Sequence, residues 1–159
     1  SRPRFHPTQD RIVILDSEGE NTACSSLNMT GHDRRVIATS KRATDIVLSP
    51  DGQTIAWEEL FHVYLSPLPA VGGKLHLSAT RKDVSVVKLT RDAGEFLNFS
   101  GDGKTLYHNL AGTLQANDVS SALAHRGDGL PASEQFDLTF DVAADLPLKR
   151  LHRCLPGSK

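Results

Sequence analysis

Apolar residues come in short runs broken by turn-forming residues, and the period inside most runs is two. In Phe136-Asp137-Leu138-Thr139-Phe140-Asp141-Val142 the apolar side chains share one face and the polar ones the other, the signature of a half-buried strand. Ile46-Val47-Leu48 and Thr54-Ile55-Ala56-Trp57 predict two strands joined by a tight turn. Phe61 to Leu65 and Val84 to Leu89 predict two more, with Pro67, Pro69, Gly72 and Gly73 marking the loop between them. Glu95 to Ser100, Lys104 to Asn109 and Thr113 to Asp118 continue the series. Nearer the start, Arg11 to Asp16 and Arg35 to Ser40 predict strands around a polar connection, EGENTACSSLNMTGHD. Helical periodicity is scarce, and only Ser120 to His125 predicts a short turn of helix. HRGDGLPASEQ, residues 125–135, predicts an exposed loop.

One decapeptide recurs within this pattern. LSPDGQTIAW at 48–57 returns as FSGDGKTLYH at 99–108, and a worn copy, FHPTQDRIVI, occupies 5–14. Pro7, Pro50 and Gly101 therefore fall 43 and then 51 residues apart. Periods of that size, each holding several short strands, predict β-propeller blades. Turn chemistry supplies the reason for the repeat. Ser49 or Ser100 opens a tight corner, Asp51 or Asp102 accepts from the backbone N–H groups just ahead, and Gly52 or Gly103 takes the positive φ that closes it, with Pro50 bending the first of the two corners. The expected fold is all-β, a partial propeller of about three four-stranded antiparallel blades near 1–43, 44–94 and 95–147. The remaining segment, 148–159, reads as a tail, a linker or the end of a truncated frame.

Composition narrows the partners. Eighteen Lys and Arg stand against 19 Asp and Glu, a formal net charge of −1, and the basic pairs Lys41-Arg42 and Lys149-Arg150 are too short to make a phosphate-binding stripe. Nucleic acid is not an expected partner. Neither is membrane insertion, since no apolar run reaches the roughly 18–20 residues of a spanning helix. The opening SRPRFHPTQD lacks the apolar core of a signal peptide, which leaves a cytoplasmic chain, a processed one, or one cut from something longer. Cys24 and Cys154, far apart in sequence, do not make a disulfide framework.

The residues in the repeats carry a resemblance. The F/L-S-P-D-G-x-T-I/L pattern resembles the TolB-type, WD-like β-propeller repeat, well at 48–57 and 99–108 and poorly at 5–14, where Thr8 and Gln9 replace Asp and Gly. More narrowly, EELFHVYLSPLPAVG, KLTRDAGEFLNFSGDGKTLYHNLAGTL and FDLTFDVAADLP resemble the last blades of the propeller that precedes the hydrolase domain in bacterial amidohydrolase-related proteins. That resemblance implies a periplasmic or secreted setting and a metal-dependent catalytic domain elsewhere. The histidines here, His6, His32, His62, His76, His108, His125 and His152, form no H-x-H, H-x-x-x-H or H-E-x-x-H arrangement.

No other motif supplies chemistry. A G-x-S-x-G elbow is absent from the sequence, and SGDGK and RGDGLP match neither a P-loop nor an EF-hand. Trp57, Phe61, Tyr64, Phe96, Phe99 and Tyr107 are expected to pack between blades. The expectation is a module without catalytic residues or cofactor, serving as a binding or scaffolding platform for a protein or small molecule at its rim or channel. Two alternatives stand beside it: a hydrolase or lyase with its site at the channel mouth of an assembled ring, and a truncated gene product. Three blades do not readily close a ring, so a homodimer forming six is the expected assembly.

Overall fold

A computed structural model describes residues 3–6, 8–69 and 73–137. In chain order its elements are β1 (Arg4–Phe5), β2 (Arg11–Glu18), β3 (Asn21–Asn28), β4 (Arg35–Ser40), β5 (Ala43–Leu48), β6 (Thr54–Glu59), β7 (His62–Pro67), β8 (Leu75–His76), β9 (Val87–Lys88), β10 (Glu95–Phe99), β11 (Thr105–Leu110), β12 (Thr113–Asp118), α1 (Val119–Ala124) and β13 (Glu134–Asp137). They build three sheets: β1-β2-β3-β4-β8, β5-β6-β7-β9 and β10-β11-β12-β13. Within each, the first four strands in chain order run antiparallel, and we refer to the sheets as blades 1, 2 and 3. The fifth strand of blade 1 is different. β8 belongs to the β7–β9 connection of blade 2 yet lies parallel to β4, with Ala38 opposite Leu75 and Thr39 opposite His76.

Alternation along the strands explains the stacking, because neighbouring residues of one strand face opposite neighbours. On one side of blade 2, Ile46, Ile55 and Trp57 pack against Val13, Cys24 and Ala38 of blade 1, joined by Leu75 and Leu77. On the other, Val47, Ala56, Val63 and Leu65 pack against Leu97, Phe99 and Leu106 of blade 3, joined by Val119 and Ala122 of α1. Every residue of β6 is consequently buried. The first strands of the blades lie toward a common axis: β5 touches β10, and the Arg4 guanidinium of blade 1 reaches the Leu97 carbonyl of blade 3 at 3.1 Å.

Among the described residues the outer faces of the end blades lack this cover. Phe5, opposite Ile12 in the register, is 79% exposed, and Phe136, opposite Leu114, is 46% exposed. Phe136 thus departs from the half-buried strand expected at 136–142. β13 starts earlier, inside the expected loop, and its described residues are all exposed because it is the last strand of the last sheet, bonded only to β12. Residues 138–142 lie outside the described residues, as do Pro7, Cys154 and the segment 148–159.

Three further expectations change. The polar connection after Asp16 is largely strand: β2 runs on to Glu18, turns through Gly19-Glu20, and returns as β3. Its polarity is misleading, since Ser25 and Ser26 are buried with partners, Ser25 Oγ donating to Asp16 Oδ1 and Ser26 Oγ accepting from Arg11 Nε. The fourth strand of blade 2 shrinks to Val87–Lys88, and the loop before it supplies β8 instead, driven by burial of Leu75 and Leu77. Helix α1 begins one residue before its predicted start, capped by Asp118, whose carboxylate accepts from Ser121 N.

Candidate functional site

The repeated corners lie at one rim. Ser49 Oγ accepts from Thr54 N at 2.9 Å, and Asp51 accepts from Gln53 N at 2.9 Å and from the Ser49 hydroxyl. In blade 3, Ser100 Oγ accepts from Thr105 N at 3.0 Å while Asp102 accepts from Lys104 N and from Ser100. These bonds hold both carboxyls below the usual carboxylate range, the serine hydroxyl contributing most. Gly52 and Gly103 sit at φ +69° and +73°. Consecutive corners also nest, because a Cβ on Gly103 would lie 3.3 Å from Pro50 Cδ and one on Gly52 3.7 Å from Thr8 Oγ1. In each aspartate both of these bonds fall on Oδ1.

Beside the blade 3 corner a cleft of about 350 Å³ lies among Thr105, Asp118, Ser121 and the residues from Ala132 to Glu134. The opposite rim lies at the other end of these strands. Two clefts lie there, one at each seam, built from equivalent parts. At the seam of blades 1 and 2 a cleft of about 340 Å³ lies among the β4–β5 connection (Ser40, Lys41, Arg42), Glu59 at the end of β6, and the segment from His76 to Thr80. At the seam of blades 2 and 3 a cleft of about 350 Å³ lies among the β9–β10 connection, Leu110 at the end of β11, Gln115 and Gln135, and the connection after α1. Laying Ser49–Glu59 over Ser100–Leu110 makes Glu59 and Leu110 equivalent, and likewise Trp57 and His108.

The two seams use those positions differently. Trp57 is fully buried, stacks on Tyr64 with centroids 5.5 Å apart, and donates through Nε1 to Glu59 Oε2 at 3.1 Å. Ala79 N donates to the same oxygen at 3.0 Å, tying the β8 segment to blade 2. His108 is also fully buried. Asn117 Nδ2 donates to the Ala132 carbonyl, which turns its Oδ1 toward His108 Nε2 at 3.0 Å and makes that nitrogen the donor. Among the described residues Nδ1 has no hydrogen-bond partner, and it lies beside Gly94. Burial pushes the His108 imidazole below its usual range, only partly offset by Asn117.

Between the clefts the β6–β7 hairpin tip protrudes. Leu60 and Phe61 both take positive φ, +51° and +68°, the type I′ geometry that Asn-Gly adopts without strain. Both are exposed, Phe61 at 69%. Phe61 and Phe96 therefore do not pack between blades as expected, Phe96 because it falls in the bulge between Glu95 and Asn98 at φ +55°. Next to Glu59, burial pushes the Glu58 carboxyl up, and Glu95 and Asp45 add to the shift against a hydrogen bond from Thr44.

Among the described residues no three His, Cys, Asp or Glu side chains are grouped to hold a metal ion. His62 meets Thr90 and His76 meets Thr39. Burial pushes the Cys24 thiol up to about 12, which leaves it protonated and a poor nucleophile. No described helix is long and apolar enough to cross a membrane. Sequence reasoning missed Glu59, Asn117 and Gly94, and treated Lys41-Arg42 as solvated surface. The one available signal was the register of the repeat, which sets Glu59 opposite a leucine.

Three stacked antiparallel sheets with converging first strands define a partial β-propeller. The structure is similar to TolB from Acinetobacter baumannii, at 19% identity and a TM-score of 0.53, over 87% of this chain and 32% of that one. It is also similar to the β-propeller domain of the Trilobed protease from Pyrococcus furiosus, described as having an open velcro topology, at 18% identity and a TM-score of 0.50, over 86% of this chain and 41% of that one. The chain thus spans about a third of the first and two fifths of the second. No protein-family model and no curated protein matches it. At such identities the likeness establishes a TolB-like propeller fold.

Proposed function

We propose that this chain is a binding or scaffolding module that works without a reactive centre of its own, holding its ligand on the cleft-bearing rim. The observation that carries this reading is the contrast between rims. One carries the repeated corners, with a cleft beside that of blade 3, whereas the other offers a cleft at each seam and an apolar, strained tip, Leu60-Phe61, between them. Backbone strain kept at an exposed apolar tip costs on the order of 1 kcal/mol per residue and is characteristic of binding surfaces.

In the working form a second copy covers the open ends. Blade 3 of one copy meets blade 1 of the other at two identical junctions, which closes six blades about a two-fold axis. Ile12 and Ile14, half-buried in blade 1, occupy the register positions of Ile55 and Trp57, which are fully buried at the intact seam. Light scattering after gel filtration is expected to give twice the chain mass, and Ile14→Asp is expected to return it to a folded monomer. A wild-type chain that is folded and monomeric at micromolar concentration contradicts the assembly.

A second reading follows from the resemblance to amidohydrolase-related proteins, and from a propeller serving as a domain of the Trilobed protease. In it, the chain is the propeller portion of a larger hydrolase. Sequencing the coding region beyond Lys159 tests this: an open frame leading into an H-x-H metal motif supports it, and an immediate stop removes it.

A further inference from the structure

The cleft between blades 1 and 2 carries opposite charges on separate walls, and one of them is buried. Glu59, which lines it, is more than nine-tenths removed from solvent, yet among the described residues both hydrogen bonds it receives, from Trp57 Nε1 and Ala79 N, fall on Oε2. Oε1 keeps its lone pairs for a group entering the cleft. The acid is particular to this seam: it serves Trp57 and Ala79 through one oxygen, and the equivalent position of blade 3 is Leu110, lining an equivalent cleft of nearly equal size. The β4–β5 connection, which leads into Ala43 opposite Glu59 in the register, contributes Lys41 and Arg42 to the lining, and its backbone is fixed by Ser40 Oγ, which accepts from Arg42 N and Ala43 N. The third wall adds the His76 ring and the hydroxyls of Ser78 and Thr80.

A lone anion at this place meets the Glu59 charge, and a lone cation meets Lys41 and Arg42. A molecule bearing both charges satisfies both walls, and its own dipole replaces the water it displaces. We propose that this cleft binds a small zwitterion, with an ammonium or guanidinium group on Glu59 Oε1 and a carboxylate toward Lys41 and Arg42. A free amino acid and a short peptide share that chemistry, and a volume of about 340 Å³ admits either. The inference rests on the rim-binding reading above and names the ligand class of one of its clefts.

Isothermal titration calorimetry of the full chain with L-lysine and with triglycine separates the two sources. Hexylammonium and hexanoate supply the cation and the anion alone. One of the zwitterions is expected to bind at least tenfold more tightly than either half-probe. Glu59→Gln keeps an oxygen for Trp57 and Ala79 but removes the charge, and is expected to weaken binding at least tenfold. A Lys41→Ala/Arg42→Ala double variant lies on an exposed turn and is expected to cost about fivefold with an unchanged circular dichroism spectrum; it decides the matter if Glu59→Gln does not fold. Half-probes that bind as well as the zwitterions, no binding at millimolar concentration, or variants that match the wild type overturn the proposal. The cleft lies within one copy, so failure of the dimer shows in light scattering and failure of this site in calorimetry.

Discussion

The two seams do the same job with different chemistry. At the first, Trp57 fills the space between blades, its indole N–H is satisfied by Glu59, and the β8 segment straps across the edge of blade 1, with Lys74 paired to Glu18 at 2.9 Å. At the second, the smaller His108 takes the equivalent place, backed by Asn117, and the chain closes in around it. A Cβ on Gly94 would fall 2.7 Å from Val63 Cγ2 and 2.9 Å from His108 Nδ1. A large aromatic needs a polar partner at its tip, while a small polar ring needs close backbone. The propeller tolerates both because each seam is a separate interface between neighbouring sheets.

The largest expected effect separates the seams by size. Trp57→Ala removes the biggest fully buried side chain and is expected to cost about 3–5 kcal/mol in urea denaturation. His108→Ala is expected to cost less, since it also removes the unpartnered Nδ1. Next comes Gly94→Ala, which meets Val63, Thr90 and His108 below 3.0 Å and is expected to destabilise by about 1–3 kcal/mol. A neutral effect would mean that the second seam is looser than described.

The hairpin tip works in the other direction. Replacing Leu60-Phe61 by Asn-Gly relieves two positive-φ positions and is expected to raise stability by about 1 kcal/mol while weakening ligand binding at the rim.

The smallest effect is a pH dependence confined to the second seam. His108 is held neutral by burial, so its folded pKa lies below the ordinary 6.5. A depressed pKa contributes stability that is complete above 6.5 and is lost as pH falls from there toward the folded value. Urea midpoints at pH 7.5 and pH 5 are expected to differ more for the wild type than for His108→Gln. Equal slopes contradict the burial of that ring.

The propeller fold was legible in the sequence because the corners are local: Ser, Asp and Gly at fixed spacing close a hairpin whatever surrounds them. The strand Asn21–Asn28 was hidden by serines whose partners, Asp16 and Arg11, are distant in sequence. β8 was hidden because two buried leucines in a Pro- and Gly-rich stretch gain their burial only against another blade. For the candidate site, the charges were visible but not their meeting: the β5–β6 register sets Ala43, just after Lys41-Arg42, opposite Glu59, and His76 joins them through a strand that crosses to the neighbouring sheet.

Among the described residues blade 2 is covered on both faces and the end blades on one, and from this difference both the proposed assembly and the stability of the parts follow. Hydrogen exchange measured across a range of protein concentrations tests it most directly. The account predicts slow exchange in β5–β7 at every concentration, with protection of β2 and of β11–β13 rising as copies associate. Exchange in β6 as fast as in β2, or end-blade protection that ignores concentration, would contradict it.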